Sequence, residues 1–252
     1  MFKVENLDYS YTGDKLVLKD INFELFERDF LSIIGPNGSG KTTLLKTVSK
    51  ILNSNATITI NNEDIAQMSR KKISENISYF AQLKGNIADL SVYDTVMLGR
   101  YPYITGFLGK PSKKDKDIVN SALEKTQLED LRDTYTSRLS GGQLQRVFLA
   151  QIIAQDTKII LLDEPTNHLD LKHQKELLEY IKTYAYKHNK IVIGVFHDLS
   201  IARKYSNKIL LLGNGEISSY DVTNRVFDTD MINELYGLDI KKYMIEHYKE
   251  WT

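Results

Sequence analysis

No cysteine occurs in the 252 residues, which excludes disulfides, thiolate metal ligands and a cysteine nucleophile together. Proline is scarce at 4 residues, while 42% hydrophobic and 26% charged residues describe an ordinary globular chain and not a disordered one. Net charge is missing as well: 33 Lys and Arg offset 33 Asp and Glu. Binding to nucleic acid through phosphate neutralisation calls for a basic excess, so no nucleic-acid partner is expected. Long apolar runs are also lacking. The longest, such as residues 159–162 and 209–212, fall far short of the ~18 residues of a membrane-spanning helix. The opening Met1-Phe2-Lys3-Val4-Glu5-Asn6 does not carry the apolar stretch of a secretory signal. The expectation is a chain that does not itself cross a bilayer, long enough to bury a full core in one or two domains.

Hydrophobic spacing predicts an antiparallel opening, with alternation at Phe2, Val4, Leu7 and Tyr9, then at Ile21, Phe23 and Leu25, around a turn at Thr12-Gly13-Asp14. A β-rich run at residues 30–34 leads into a glycine-rich turn. The helical spacing of Leu44, Leu45, Val48, Ile51 and Leu52 follows. Residues 57–60 and 77–80 read as short strands, 85–113 as turn-rich and aromatic, and 113–154 as helical without an intervening strand. Continuous apolar strands at 158–162, 191–195 and 208–212 alternate with helical patterns such as Leu177, Leu178, Ile181, Tyr184 and Ala185. That alternation points to a parallel sheet covered on both faces. Asn214-Gly215 predicts a type I′ hairpin at the last strand.

Three strings carry chemistry. Gly35-Pro36-Asn37-Gly38-Ser39-Gly40-Lys41-Thr42 fits GxxxxGKT between a strand and an amphipathic helix, and Thr43 continues it. Its glycines let backbone N–H groups point inward, the helix N-terminus adds positive potential, and Lys41 offers a point charge to β and γ phosphates. Thr42 is placed to ligate Mg²⁺. The apolar strand Ile159-Ile160-Leu161-Leu162 ends in Asp163-Glu164. Successive strand side chains face opposite ways, so Asp163 suits holding Mg²⁺ while Glu164 suits orienting or deprotonating water. Leu139-Ser140-Gly141-Gly142-Gln143 opens a helix with Ser140 as N-cap. Two glycines there weaken the first turn, a cost that a second anion site at the helix N-terminus would offset; the same string is also an ordinary loop composition.

In this order, with LSGGQ between the two Walker strings, the chain resembles the ATP-binding cassette family over roughly residues 4–225. The resemblance implies an α/β fold: a P-loop NTPase (RecA-like) core with an N-terminal antiparallel β subdomain and an inserted α-helical subdomain. It implies a single cassette domain, with the core at 1–82 and 158–225, the helical signature subdomain at 83–157 and a short tail at 226–252. Tyr11 resembles the aromatic that stacks on adenine, with Tyr9 a second candidate, and Gln82 resembles the Q-loop glutamine that contacts Mg²⁺ or the attacking water. Asn167-His168-Leu169-Asp170 resembles the D-loop, with Asp170 at a dimer seam, and His197 resembles the switch histidine, Asp198 and Ser200 starting the helix after it. Leu144 and Gln151 stand where many cassettes have arginine.

Residues 91–102, SVYDTVMLGRYP, and 167–174, NHLDLKHQ, are similar to stretches in cassettes serving importers of iron siderophores, haem and cobalamin. Zinc, manganese and oxyanion importers are the alternative, and a soluble non-transport cassette ATPase a more distant one. Tyr101, Tyr103 and Phe107 either pack on the helical subdomain or form a docking surface. The resemblance implies ATP and Mg²⁺ as cofactors, ATP hydrolysis, and head-to-tail pairing with a second copy whose Ser140, Gly141, Gly142 and Gln143 close each ATP site. It also implies membrane permease subunits as partners, an extracytoplasmic solute-binding protein as an indirect one, and a place on the cytoplasmic face of the membrane.

Overall fold

The computed structural model describes residues 1–80, 89–104, 109–167 and 169–249. Its strands are β1 (Phe2–Tyr9), β2 (Leu18–Leu25), β3 (Phe30–Ile34), β4 (Thr57–Ile60), β5 (Glu63–Asp64), β6 (Ile77–Phe80), β7 (Ile159–Asp163), β8 (Ile191–Val195), β9 (Lys208–Gly213) and β10 (Glu216–Val222). Its helices are α1 (Lys41–Val48), α2 (Arg70–Asn76), α3 (Val92–Leu98), α4 (Lys113–Lys125), α5 (Gly141–Gln155), α6 (Leu171–Lys187), α7 (Leu199–Tyr205), α8 (Thr223–Phe227), α9 (Asp230–Tyr236) and α10 (Ile240–Lys249). None of them is long and apolar enough to span a membrane, among the described residues. Two compact units form, one from Met1–Gln67 with Ile193–Thr252 and one from Met68–Val192.

The first unit holds the predicted antiparallel sheet, in the order β2-β1-β4-β5. The buried positions of β1 change parity between Val4 and Leu7, and the cause is a break in register there, with Asn6 at φ 52° and its N–H donated to the Asn22 side chain. A bulge of this kind adds a residue without exposing the apolar face. In the same unit β3, all five residues buried, pairs parallel with β9, and β9 pairs antiparallel with β10. Asn214 and Gly215 sit at φ 51° and 82° between them, the backbone a type I′ turn demands. The end of β8 flanks β3, and Gly194 is required there because a Cβ would stand 2.3 Å from the buried Phe196 ring.

The second unit pairs β6 with β7 in parallel, Ile77 opposite Ile159, and the first residues of β8 flank β7. α5 packs against α3 and α4. The junction is polar and buried: Arg100 Nε donates to Asp115 Oδ1 at 3.0 Å, its Nη1 to the Ala154 carbonyl at 2.7 Å, and its guanidinium lies 3.8 Å from the Tyr103 ring centroid. Asp115 also closes the capping box of α4 with Ser112.

Two local readings change. The α1 helix stops at Val48, with Lys50 at φ 62°, so Ile51 lies outside it and is 57% exposed. Residues 85–113 contain α3, capped by Ser91, which accepts from the Asp94 N–H at 3.0 Å. The helical stretch 113–154 holds α4 and α5, joined by 3₁₀ turns, and α5 opens after Ser140 as expected. Of the aromatic trio, Tyr103 packs, its hydroxyl donating to the Gln155 carbonyl at 2.7 Å, while Tyr101 is 71% exposed; Phe107 lies outside the described residues.

Candidate functional site

In the first unit the glycine loop leaves the end of β3 and enters α1. Gly35 runs so close to β9 that a Cβ would come within 2.0 Å of the Leu212 carbonyl oxygen, and its φ of 151° already disfavours other residues. Gly38 and Gly40 adopt φ 80° and 103°. Pro36 and Asn37 complete the turn, and Lys41 begins α1, only 5% exposed, its Nζ donating to the Gly35 and Pro36 carbonyls at 2.8 Å each. The Ser39 hydroxyl is buried with no hydrogen-bond partner among the described residues. A buried hydroxyl without a partner is uncommon. In a glycine loop that runs through positive φ at Gly38 and Gly40 into a helix N-terminus and the buried Lys41 ammonium, such a hydroxyl is matched by an anionic oxygen, so these residues fit a nucleotide phosphate.

Around that loop, Thr42 follows Lys41 on the helix, and the Thr43 hydroxyl is 3.1 Å from that of Tyr11. Tyr11 is 60% exposed and meets Tyr9 edge-on at 5.0 Å between ring centroids. A ring so exposed, anchored through its hydroxyl beside the loop, offers a face for stacking. His197 is exposed directly after β8 and Phe196, and Asp198 caps α7 by accepting from the N–H groups of Ser200 and Ile201 at 2.7 and 3.2 Å. Sequence reasoning missed Tyr236 on α9. Burial raises its phenol's pKa, an effect that the nearby Gly35 backbone partly offsets.

In the second unit Asp163 ends β7, 3% exposed, and Tyr79 of β6 donates its hydroxyl proton to Asp163 Oδ2 at 2.9 Å. The next residue, Glu164, is held at φ 54°, an uncommon conformation for a side-chain-bearing residue. Asn167 donates from Nδ2 to Glu164 Oε2 at 2.5 Å and from its N–H to the Glu164 carbonyl at 3.3 Å. Gln145 of α5 donates to the Pro165 carbonyl. The carboxylate is thus aimed by a turn that Asn167 and Gln145 fasten from either side.

Ser140 caps α5, and Gln143 completes a capping box: the Ser140 N–H donates to Gln143 Oε1 at 2.9 Å and the Gln143 N–H to Ser140 Oγ at 3.3 Å. Gly141 and Gly142 form the first turn, and a Cβ on Gly142 would sit 3.0 Å from the His173 ring. Asp170 caps α6; the His173 N–H donates to it at 2.9 Å, and that bond together with the His173 ring at 2.8 Å holds its carboxyl below the usual range. Gln82 and His168 lie outside the described residues. No cluster of three or more metal-ligating side chains occurs among the described residues.

A parallel strand ending in a glycine loop that runs into a helix, with a second strand ending in an acidic pair, defines a P-loop nucleoside triphosphatase. The ABC transporter family profile matches residues 18–167, and the chain belongs to that family: it is an ATP-binding, ATP-hydrolysing cassette. It is 35% identical over 250 residues to the petrobactin import ATP-binding protein YclP of Bacillus subtilis, covering 99% of this chain and 98% of that one. It is 34% identical to the iron(3+)-hydroxamate import ATP-binding protein FhuC of the same organism, covering 93% and 87%. Among solved structures, a putative metal-chelate type ABC transporter in an inward-facing conformation matches with a TM-score of 0.81 at 30% identity, covering 94% of this chain and 88% of that one.

Proposed function

We propose that this chain is the ATP-hydrolysing subunit of an importer for metal chelates, a ferric siderophore, haem or a cobalamin. The observation that carries this reading is similarity over nearly the whole chain to two import ATP-binding proteins, named for petrobactin and for iron(3+)-hydroxamate. The composition of residues 91–102 points the same way.

In this reading residues 35–43 hold the phosphates and Tyr11 stacks on adenine. Lys41 exchanges its bonds to the loop carbonyls for the β and γ phosphates, a stronger charge-assisted pairing. Thr42, Asp163 and Gln82 supply the oxygen donors that suit Mg²⁺, which when bound neutralises phosphate charge. Glu164, oriented by Asn167, accepts the proton of the attacking water, and His197 with Gln82 positions the γ-phosphate and that water. Ser140, Gly141, Gly142 and Gln143 of a second copy close the site, and Asp170 lies at the seam. Permease subunits hold the chain on the cytoplasmic face of the membrane, and a solute-binding protein delivers the chelate.

The test is affinity purification of the tagged chain from its native membranes, followed by radiolabelled iron uptake with and without its gene. Copurification of a polytopic membrane protein and loss of ferric-chelate uptake are expected. Unchanged uptake of ferric siderophore, haem iron and cobalamin on deletion would overturn the chelate assignment.

A further inference from the structure

Within the second unit, the first residues of α5 are joined to the turn that carries Glu164. The cap and first turn, Ser140 to Gln143, close on themselves through the reciprocal Ser140 and Gln143 bonds, and the Leu144 N–H donates to the Ser140 carbonyl at 2.9 Å. Gln145 follows at once, about 7.5 Å along the axis from Ser140. It is 7% exposed, and its Nε2 donates to the carbonyl of the buried Pro165, the residue after Glu164. The same helix end also meets the far side of the acidic turn. The His173 ring lies against Gly142, 3.0 Å from where a Cβ would stand, and its Nδ1 is bonded to Asp170 Oδ1 at 2.8 Å. Gln174 of α6 ties the stretch between, donating to the Thr166 and Leu169 carbonyls at 3.3 and 2.9 Å.

A capped turn of helix moves as one piece, and a hydrogen bond shielded from water has no solvent partner to exchange for. A displacement of the first turn of α5 is therefore passed by Gln145 to Pro165, and from there to the backbone of Glu164, held at φ 54°. We propose that Gln145 is a positioning residue that couples the two nucleotide sites of a pair. When the second copy's nucleotide engages Ser140 to Gln143, Gln145 carries the contact to the turn that aims this chain's own Glu164. The inference rests on the second-copy arrangement of the proposed function and adds a direction to it: occupancy of the partner's site prepares the base of this chain. Asn167 orients the carboxylate from within the turn, whereas Gln145 connects that turn to a surface another chain can reach.

The test is hydrogen exchange of the full chain carrying Glu164→Gln, in which turnover is slowed, with and without ATP and Mg²⁺. ATP should slow exchange both in the peptide carrying Ser140 to Gln143 and in the peptide carrying Glu164 to Asn167. Adding Gln145→Met, a swap of similar volume that lacks the donor, should keep the first effect and abolish the second. A measurement that leaves Gln145 in place is Ser140→Arg in the same background, which should still bind ATP but lose the slowing at Glu164 to Asn167. With Glu164 intact, Gln145→Met should lower kcat by about 10- to 100-fold, the scale of a small misplacement of a reacting group, while the ATP concentration for half-maximal turnover stays within about twofold. Unchanged slowing at Glu164 to Asn167 in folded Gln145→Met protein, slowing there that survives Ser140→Arg, or wild-type kcat in Gln145→Met would each overturn the proposal. Loss of the slowing at Ser140 to Gln143 in Gln145→Met would overturn it as well, because Gln145 would then serve docking and not the link. If ATP slows neither peptide in the Glu164→Gln chain, the second-copy arrangement itself fails, and the coupling with it.

Discussion

Replacing Arg100 by methionine tests what holds α3, α4 and α5 together in the second unit. Arg100 and Asp115 are 5% and 6% exposed, so neither charge is solvated by water. The guanidinium bonds to the carboxylate and to the Ala154 carbonyl and lies over Tyr103. Methionine fills a similar volume but strands Asp115 as a buried carboxylate, and breaking a buried pair from one side costs about 3–5 kcal/mol. At about 2–4 °C per kcal/mol for a chain of this size, the melting temperature should fall by roughly 6–20 °C.

Asp115→Asn in the Arg100→Met background removes the stranded charge while leaving an acceptor for Ser112, so the double variant should regain part of the loss. Such coupling between contacting residues is typically about 0.5–3 kcal/mol. Burial pushes the Asp115 carboxyl upward, but the Ser112 hydroxyl and N–H and the Arg100 guanidinium outweigh it and hold the group below its usual value. A carboxylate depressed in the folded state contributes stability above its unfolded pKa of about 3.9 and loses it as pH falls through the folded value. The gap between wild type and Arg100→Met should therefore stay level from about pH 5 to 8 and narrow as pH falls below about 4. Urea unfolding across that range measures it. A loss below about 1 kcal/mol, the scale of an exposed pair, or strictly additive single and double variants, would refute the reasoning.

Glu164→Gln keeps an acceptor for Asn167 and should lower phosphate release by about 10²- to 10⁴-fold while ATP binding persists; wild-type turnover would remove Glu164 from the base role. Ser140→Arg should block hydrolysis yet leave monomeric ATP binding intact, as read by fluorescent-nucleotide titration, if the signature acts on the second copy's nucleotide as proposed above. Tyr79→Phe frees Asp163 Oδ2 from its 2.9 Å bond and should raise the Mg²⁺ concentration for half-maximal turnover by about 10- to 100-fold, with ATP binding in the absence of metal unchanged. Gly35→Ala drives a methyl group to 2.0 Å from the Leu212 carbonyl and should abolish nucleotide binding or folding, whereas alanine at Gly38, which meets nothing within 4 Å, should give a folded chain by circular dichroism.

Where a residue's job depends on its immediate neighbours, the sequence was readable. Strand, glycines, lysine and helix follow one another at residues 30–48, and Asn214-Gly215 dictates its own turn, so both emerged from local pattern. α3 did not, because at seven residues it shows barely two turns of spacing, and its Ser91 and Asp94 cap is a short signal beside glycine- and aromatic-rich sequence. The hydrogen bond from Tyr79 to Asp163 depends on the register of β6 and β7, and the nearness of Tyr236 to Gly35 on where the last helices return. Such pairings are set by tertiary packing and leave no spacing to read. Phe2, Val4, Leu7 and Tyr9 read as one alternation, and the bulge at Asn6 that shifts their parity depends on the partner strand.

The two phosphate-type motifs are stabilised in opposite ways, and this bears on their separate duties. At α1 the left-handed Gly40 contributes no side-chain cap, and the buried charge of Lys41 is satisfied by carbonyls of its own loop. Those neutral acceptors are weaker partners than phosphate oxygens, so an incoming nucleotide improves on them. At α5 the capping box of Ser140 and Gln143 satisfies first-turn donors from within the motif, there is no lysine, and Gly142 accommodates the His173 ring. That helix end is stable by itself and contributes only partial charge and a hydroxyl. A motif of the first kind is suited to capturing ATP, and one of the second to recognising ATP already held by another chain. In the arrangement proposed above, that division assigns one lysine to each signature and predicts that turnover, but not ATP binding, depends on the second copy.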